Sequence, residues 1–87
     1  LTPFHYACQC NSIETVNYLL SIPGIKINEK DIRGETPFFY ACKCEYLEIA
    51  KILAKTNQIN PCTTNYKGIP ALSYLSEKDQ KNIFLYN

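Results

Sequence analysis

The chain has 87 residues, 46% hydrophobic and 20% charged, with nine Lys/Arg against eight Asp/Glu and a net charge of +1. A length like this supports one thin-cored domain, and the composition excludes wholesale disorder. The near-neutral balance lacks the basic excess of a nucleic-acid binder, and no apolar run approaches the about 18 residues of a membrane span.

Thr2-Pro3-Phe4-His5-Tyr6-Ala7-Cys8-Gln9-Cys10 carries the first helix signal. Thr is a favoured helix N-cap, and Pro suits the first helical position because its missing N–H would be unpaired there anyway. Phe4, Ala7 and Cys8 then fall at i, i+3 and i+4, one apolar stripe. Ile13, Val16, Leu19 and Leu20 form a second stripe only two or three residues further on. Two short helices joined that tightly must run antiparallel. Pro23-Gly24 ends the pair, and the polar, turn-rich stretch Asn28–Gly34 is predicted to leave the helical layer as a hairpin-like finger.

The same order then recurs. Thr36-Pro37-Phe38-Phe39-Tyr40-Ala41-Cys42-Lys43-Cys44 repeats the first signal at an offset of 34, with nine of nineteen positions identical between Thr2 and Leu20. Leu47, Ile49, Ala50, Ile52 and Leu53 supply the second helix, Asn57 ends it, and Asn60–Gly68 forms the next finger. A weaker third unit follows, with Ala71, Leu72, Tyr74 and Leu75 as its first helix. Ser76-x-x-Asp79 resembles a capping box opening a second helix through Ile83, Phe84 and Leu85. Its polar face, Lys78 to Asn82, suits the wet end that a stacked array requires. Methionine is absent and Leu1 opens the chain, so a piece of a longer protein is expected.

Ile-Asn-x-x-Asp-x-x-Gly-x-Thr-Pro, carried by Ile27 to Pro37 and followed by Phe38, Ala41 and Leu47-Glu48-Ile49, resembles the ankyrin repeat, whose period is about 33 residues. The resemblance implies an all-α solenoid of stacked antiparallel helix pairs with β-hairpin-like finger loops. It divides a single array into repeat 1 at 1–34, truncated at its start, repeat 2 at 35–68, and a degenerate capping repeat at 69–87. His5 fits the family's structural His, which ties a loop to the helix. Three departures stand out. Phe39 replaces the second His, Ile69-Pro70-Ala71-Leu72 replaces the third Thr-Pro motif, and Cys10-Asn11 and Cys44-Glu45 run through the point where the family turns on Gly.

Other chemistry is weakly signalled. Cys8-x-Cys10 and Cys42-x-Cys44 suggest zinc, but residues i and i+2 on a helix diverge by about 200°, and equivalent positions on stacked helices lie about 8–10 Å apart. Cys8 and Cys42 are therefore read as core fillers, with Cys10 and Cys44 near the concave face. His5 and Cys8 form no repeated dyad, since Phe39 and Cys42 take those places in the second unit. Glu45 and Glu48 read as a solvated face, and three isolated glycines cannot cradle a phosphate. Phe4, Tyr6, Phe38 and Tyr40 are expected in the core rather than on a base-stacking platform. No catalytic, metal or cofactor site is expected. Five cysteines, an odd count, suit free thiols in a reducing, cytoplasmic setting.

The resemblance also implies a concave groove lined by finger tips and exposed first-helix positions. Carried over position by position, it comprises Gln9 and Cys10 from the first unit, and Lys30, Ile32, Arg33, Glu35, Lys43 and Cys44 from the second. Thr64, Tyr66, Lys67 and Ile69 come from the third. Ile32 and Tyr66 occupy equivalent finger positions beside Arg33 and Lys67, a combination that suits interface anchors. The expected function is a monomeric, non-catalytic module that binds another protein. The alternatives are a spacer or regulatory arm for an enzyme domain elsewhere, and a thiol or zinc protein.

Overall fold

Each Thr-Pro starts a helix in the computed structural model, which describes residues 2–56 and 58–84. Thr2 and Thr36 stay extended, and their hydroxyls accept the N–H groups of His5 and Phe39 at 3.3 and 3.1 Å. Pro3 and Pro37 then open α1 (Pro3–Gln9) and α3 (Pro37–Lys43). The chain reverses through Asn11 and Glu45, at φ 56° and 58°, where Gly would be the unstrained choice. It returns as α2 (Ile13–Leu20) and α4 (Leu47–Ala54). Ser12 caps α2 through the Thr15 N–H, whereas Tyr46 gives α4 no side-chain cap.

The third unit is shorter than its pattern suggests. Ala71–Tyr74 forms a single 3-10 turn, and Leu75 lies extended beyond it. Pro70 brings no hydroxyl to the capping position, so the turn lacks the side-chain cap that Thr2 and Thr36 provide. The Ser73 hydroxyl also bonds back to the Pro70 carbonyl at 2.6 Å. A final helix, α5 (Glu77–Phe84), starts where Ser76 accepts the Asp79 N–H at 3.1 Å. Asn57 as a helix end, Leu85 as a helix residue and Leu1 lie outside the described residues.

Packing follows the repeat. α1, α3 and the 3-10 turn form one row, and α2, α4 and α5 form the other. Phe4, Cys8, Val16, Phe38, Phe39, Ala41, Cys42, Ile49, Ala50, Leu53, Ala71 and Ile83 are buried in one continuous core. Small residues at Ala41 and Cys42 let the rows approach closely. Each unit thus shields an apolar face of the next, the burial that sustains stacked repeats.

One core expectation fails. Tyr6 is 55% exposed, although its equivalent Tyr40 is 9% exposed. Tyr40 meets the His5 ring edge-on at 5.2 Å, and its hydroxyl donates to Asp31. Both contacts come from the preceding unit, and Tyr6 has no counterpart to them among the described residues.

Candidate functional site

The two fingers share one turn chemistry. The Asp31 carboxylate accepts the N–H groups of Arg33 and Glu35, both at 2.9 Å. Asn65, 34 positions on, accepts those of Lys67 and Ile69 through its amide oxygen, both at 3.0 Å. Gly34 and Gly68 close the turns with N–H bonds back to Asp31 and Asn65 at 2.9 Å. Hairpin pairing supports the second finger, where the Asn65 N–H donates to Ile69 and the Ala71 N–H to Thr63. Asx residues make such turns because their side chains reach N–H groups two residues on.

The fingers also grip each other. The Tyr66 N–H donates to the Arg33 carbonyl at 2.9 Å. The Tyr66 ring lies over Gly34, where an added Cβ would stand 2.7 Å from a ring carbon. Gly34 is therefore required twice, for its φ of +78° and for this close approach. On another side the Lys30 ammonium lies 5.9 Å from the ring centroid. Tyr66 is 71% exposed yet held in place before any ligand arrives.

His5 ties the first helix to the first finger. Its Nε2–H donates to the Glu35 carbonyl at 2.8 Å, which leaves Nδ1 to accept from the Thr2 hydroxyl at 2.8 Å and the Thr2 N–H at 3.2 Å. This buried bridge is the tie that the resemblance implied. In the second unit Phe39 takes the same slot and packs edge-on against Tyr74 at 5.6 Å.

A cleft of about 520 Å³ opens between the fingers and the end of α3. It gathers Ile32, Arg33, Glu35, Lys43, Tyr66, Lys67 and Ile69, all expected from the sequence, with Asn65 and Tyr74, which were not. Ile32 is 94% exposed at its mouth. Glu35 departs from expectation because its side chain is buried, with the residue only 2% exposed. Asn65 donates to its Oε2 at 3.2 Å, and Lys43 approaches Oε1 at 3.6 Å. The carboxylate thus belongs to the groove floor and joins two units rather than facing a partner freely.

The remaining predicted residues lie elsewhere. Gln9 lines a smaller cleft of about 250 Å³ with Ile32, Arg33, Asp31 and Tyr40. Lys30 and Thr64 line a separate cleft with Asn28, Thr36, Asn60, Cys62 and Thr63. Cys10 and Cys44 are exposed at the ends of α1 and α3 and line neither groove cleft. Asn65 was legible as the counterpart of Asp31 at the repeat offset. Tyr74 stands at the same offset from Tyr40, but that repeat position reads as core from the sequence, and the structure leaves Tyr74 half-buried at the cleft.

The thiols divide as expected. All five are free, with Cys8 and Cys42 buried and Cys10, Cys44 and Cys62 exposed. Burial pushes the Cys8 and Cys42 thiols up to about 12, so they stay protonated and poorly nucleophilic at neutral pH.

Comparison with known proteins agrees with this geometry. The family profile described as "Ankyrin repeats (3 copies)" matches residues 4–86. An ankyrin repeat-containing protein of Schizosaccharomyces pombe is 30% identical over 84 residues, covering 94% of this chain and 36% of the relative. The chain therefore spans little more than a third of that relative's length. A chain from the solved complex of a Bdellovibrio bacteriovorus predatory endopeptidase with an immunity protein superposes with a TM-score of 0.76 at 24% identity, covering 95% of this chain and 42% of that one. That likeness concerns the fold alone. With that profile matched over nearly its whole length, this chain belongs to the ankyrin-repeat family.

Proposed function

We propose that the chain is a non-catalytic module that docks another protein through its concave groove and finger tips, acting as part of a longer polypeptide. Ankyrin repeats are generally protein–protein interaction modules. The observation that carries the reading is the convergence of exposed Ile32 and Tyr66 with Arg33, Lys43 and Lys67 around one cleft. Large apolar side chains beside cations are the composition of interface anchors. The ring of Tyr66, fixed over Gly34, lowers the ordering entropy that binding must overcome. The five free thiols fit a reducing, cytoplasmic setting, and the fragment is read as a monomer.

Affinity capture from native lysate with the intact parent protein tests the reading. Ile32→Ser with Tyr66→Ser should abolish capture while leaving the melting midpoint nearly unchanged, because both side chains are largely exposed. Capture that survives the double substitution would favour a spacer or regulatory arm instead.

A further inference from the structure

Building on the docking reading above, we infer that the interfinger cleft takes an acidic segment of the partner, whose carboxylates pair with Arg33 and Lys67 while an apolar side chain seats on Ile32, Ile69 and Tyr74.

The near-neutral total charge conceals a segregation. Three cations line the cleft, Arg33, Lys43 and Lys67, against one carboxylate, Glu35. Glu35 is already committed to the fold. Its Oε2 takes the Asn65 amide at 3.2 Å, and its buried Oε1 has Lys43 at 3.6 Å and no hydrogen-bond donor in range among the described residues. Removing Lys43 to serve a ligand would strand that buried charge, so Lys43 stays with Glu35. Asp31, within the first finger, is spent on the turn N–H groups and Tyr40. Arg33 and Lys67 are left with no carboxylate within 4.0 Å among the described residues. The exposed acids Glu14, Glu29, Glu45, Glu48 and Glu77 lie on α2, at the start of the first finger, on the α3–α4 turn, on α4 and on α5, and do not line the cleft.

Two exposed cations at equivalent finger tips therefore face an opening whose one carboxylate, Glu35, is already committed to Asn65 and Lys43. The planar guanidinium of Arg33 matches a carboxylate in two-point geometry, and Lys67 offers a rotatable point charge. Ile32, Ile69 and Tyr74 supply apolar surface in the same cleft. In such an arrangement the cations steer and select, and apolar burial supplies most of the affinity. A nucleic-acid strand fits less well, because tracking a phosphate backbone calls for a longer run of cations than this pair.

A random-dodecapeptide display selection on the folded chain tests the inference, counting only binders lost when Ile32→Ser is introduced. Expected binders are enriched in Asp and Glu next to Leu, Ile or aromatic residues. Their affinity should fall about tenfold or more in the Arg33→Gln/Lys67→Gln variant, and should weaken as salt rises. The variant should melt as the parent does, since both side chains are exposed. Neutral or basic binders that need Ile32 but ignore Arg33 and Lys67 would overturn the acidic assignment and leave the docking groove standing. Binders indifferent to Ile32, or none at all, would count against both. An oligothymidine strand that displaces the acidic peptides at equal concentration would also overturn it.

Discussion

The first two units carry nearly the same nine-residue opening, yet they use it differently. Tyr6 lies exposed and Tyr40 buried, and His5 makes a polar bridge where Phe39 makes an apolar one. The Thr cap and Pro start produce the same helix in both places, because that chemistry is local. What differs is the neighbour. Tyr40 has His5 and Asp31 behind it, and Phe39 has Tyr74 ahead of it. In a stacked array the sequence of a unit decides its helices, and its place in the stack decides what those helices bury.

Substitutions at the paired positions can break or sharpen this contrast. Phe39→Ala should have the largest effect, about 3–5 kcal/mol by urea unfolding, because a fully buried ring leaves a cavity beside Tyr74. His5→Ala should cost less, about 2–3 kcal/mol, chiefly by leaving the buried Glu35 carbonyl without the His5 donor. A reversed order would mean that the polar bridge, not the core, holds the units together.

Tyr40→Phe comes next. Losing the hydroxyl bond to Asp31 should cost about 1 kcal/mol, while Tyr6→Phe should stay within about 0.5 kcal/mol of the parent. The same bond has a pH signature. Burial pushes the Asp31 carboxyl up, but the Tyr40 hydroxyl and the N–H groups of Glu35 and Arg33 together outweigh it and hold the group below its ordinary value. A carboxyl lowered on folding contributes stability above its unfolded pKa of about 3.9, and that contribution is lost as pH falls through the folded value. Melting curves taken from about pH 5 downward should show this loss in the parent. Asp31→Asn gives the first finger the residue that the second has at Asn65, and should flatten that acid limb. An unchanged limb would place the acid sensitivity elsewhere.

The smallest effect is expected at the helix–helix turns. Glu45 pays a left-handed backbone cost that Asn11 largely escapes, since Asn tolerates that region. Glu45→Gly should raise stability by about 0.5–1 kcal/mol, and Asn11→Gly by no more than a few tenths. Equal gains in thermal melts would remove the distinction between the two turns.

The legibility of the sequence follows the range of the forces involved. Caps, turns and the repeat period were readable because they act within a few residues, and Ser76 and Pro37 acted as their chemistry required. The third unit's first helix was read too generously, because Ala71, Leu72, Tyr74 and Leu75 fit a helical stripe while Pro70 brings no capping hydroxyl. Much of the cleft was anticipated through the family pattern. The burial of Glu35 was not, because it needs Asn65 and Lys43 from two other elements. Tyr74 escaped because its repeat position, shared with Tyr40, reads as core, whereas the 3-10 turn sets it against Phe39 with one side open to the cleft.

Backbone NMR of the labelled chain, alone and with a captured partner domain, tests the docking surface most directly. Shifts should concentrate on the amides of Ile32, Arg33, Lys43, Tyr66, Lys67 and Ile69, with α2 and α4 little changed. Perturbation centred on α2 and α4, with the finger amides silent, would contradict docking at the groove.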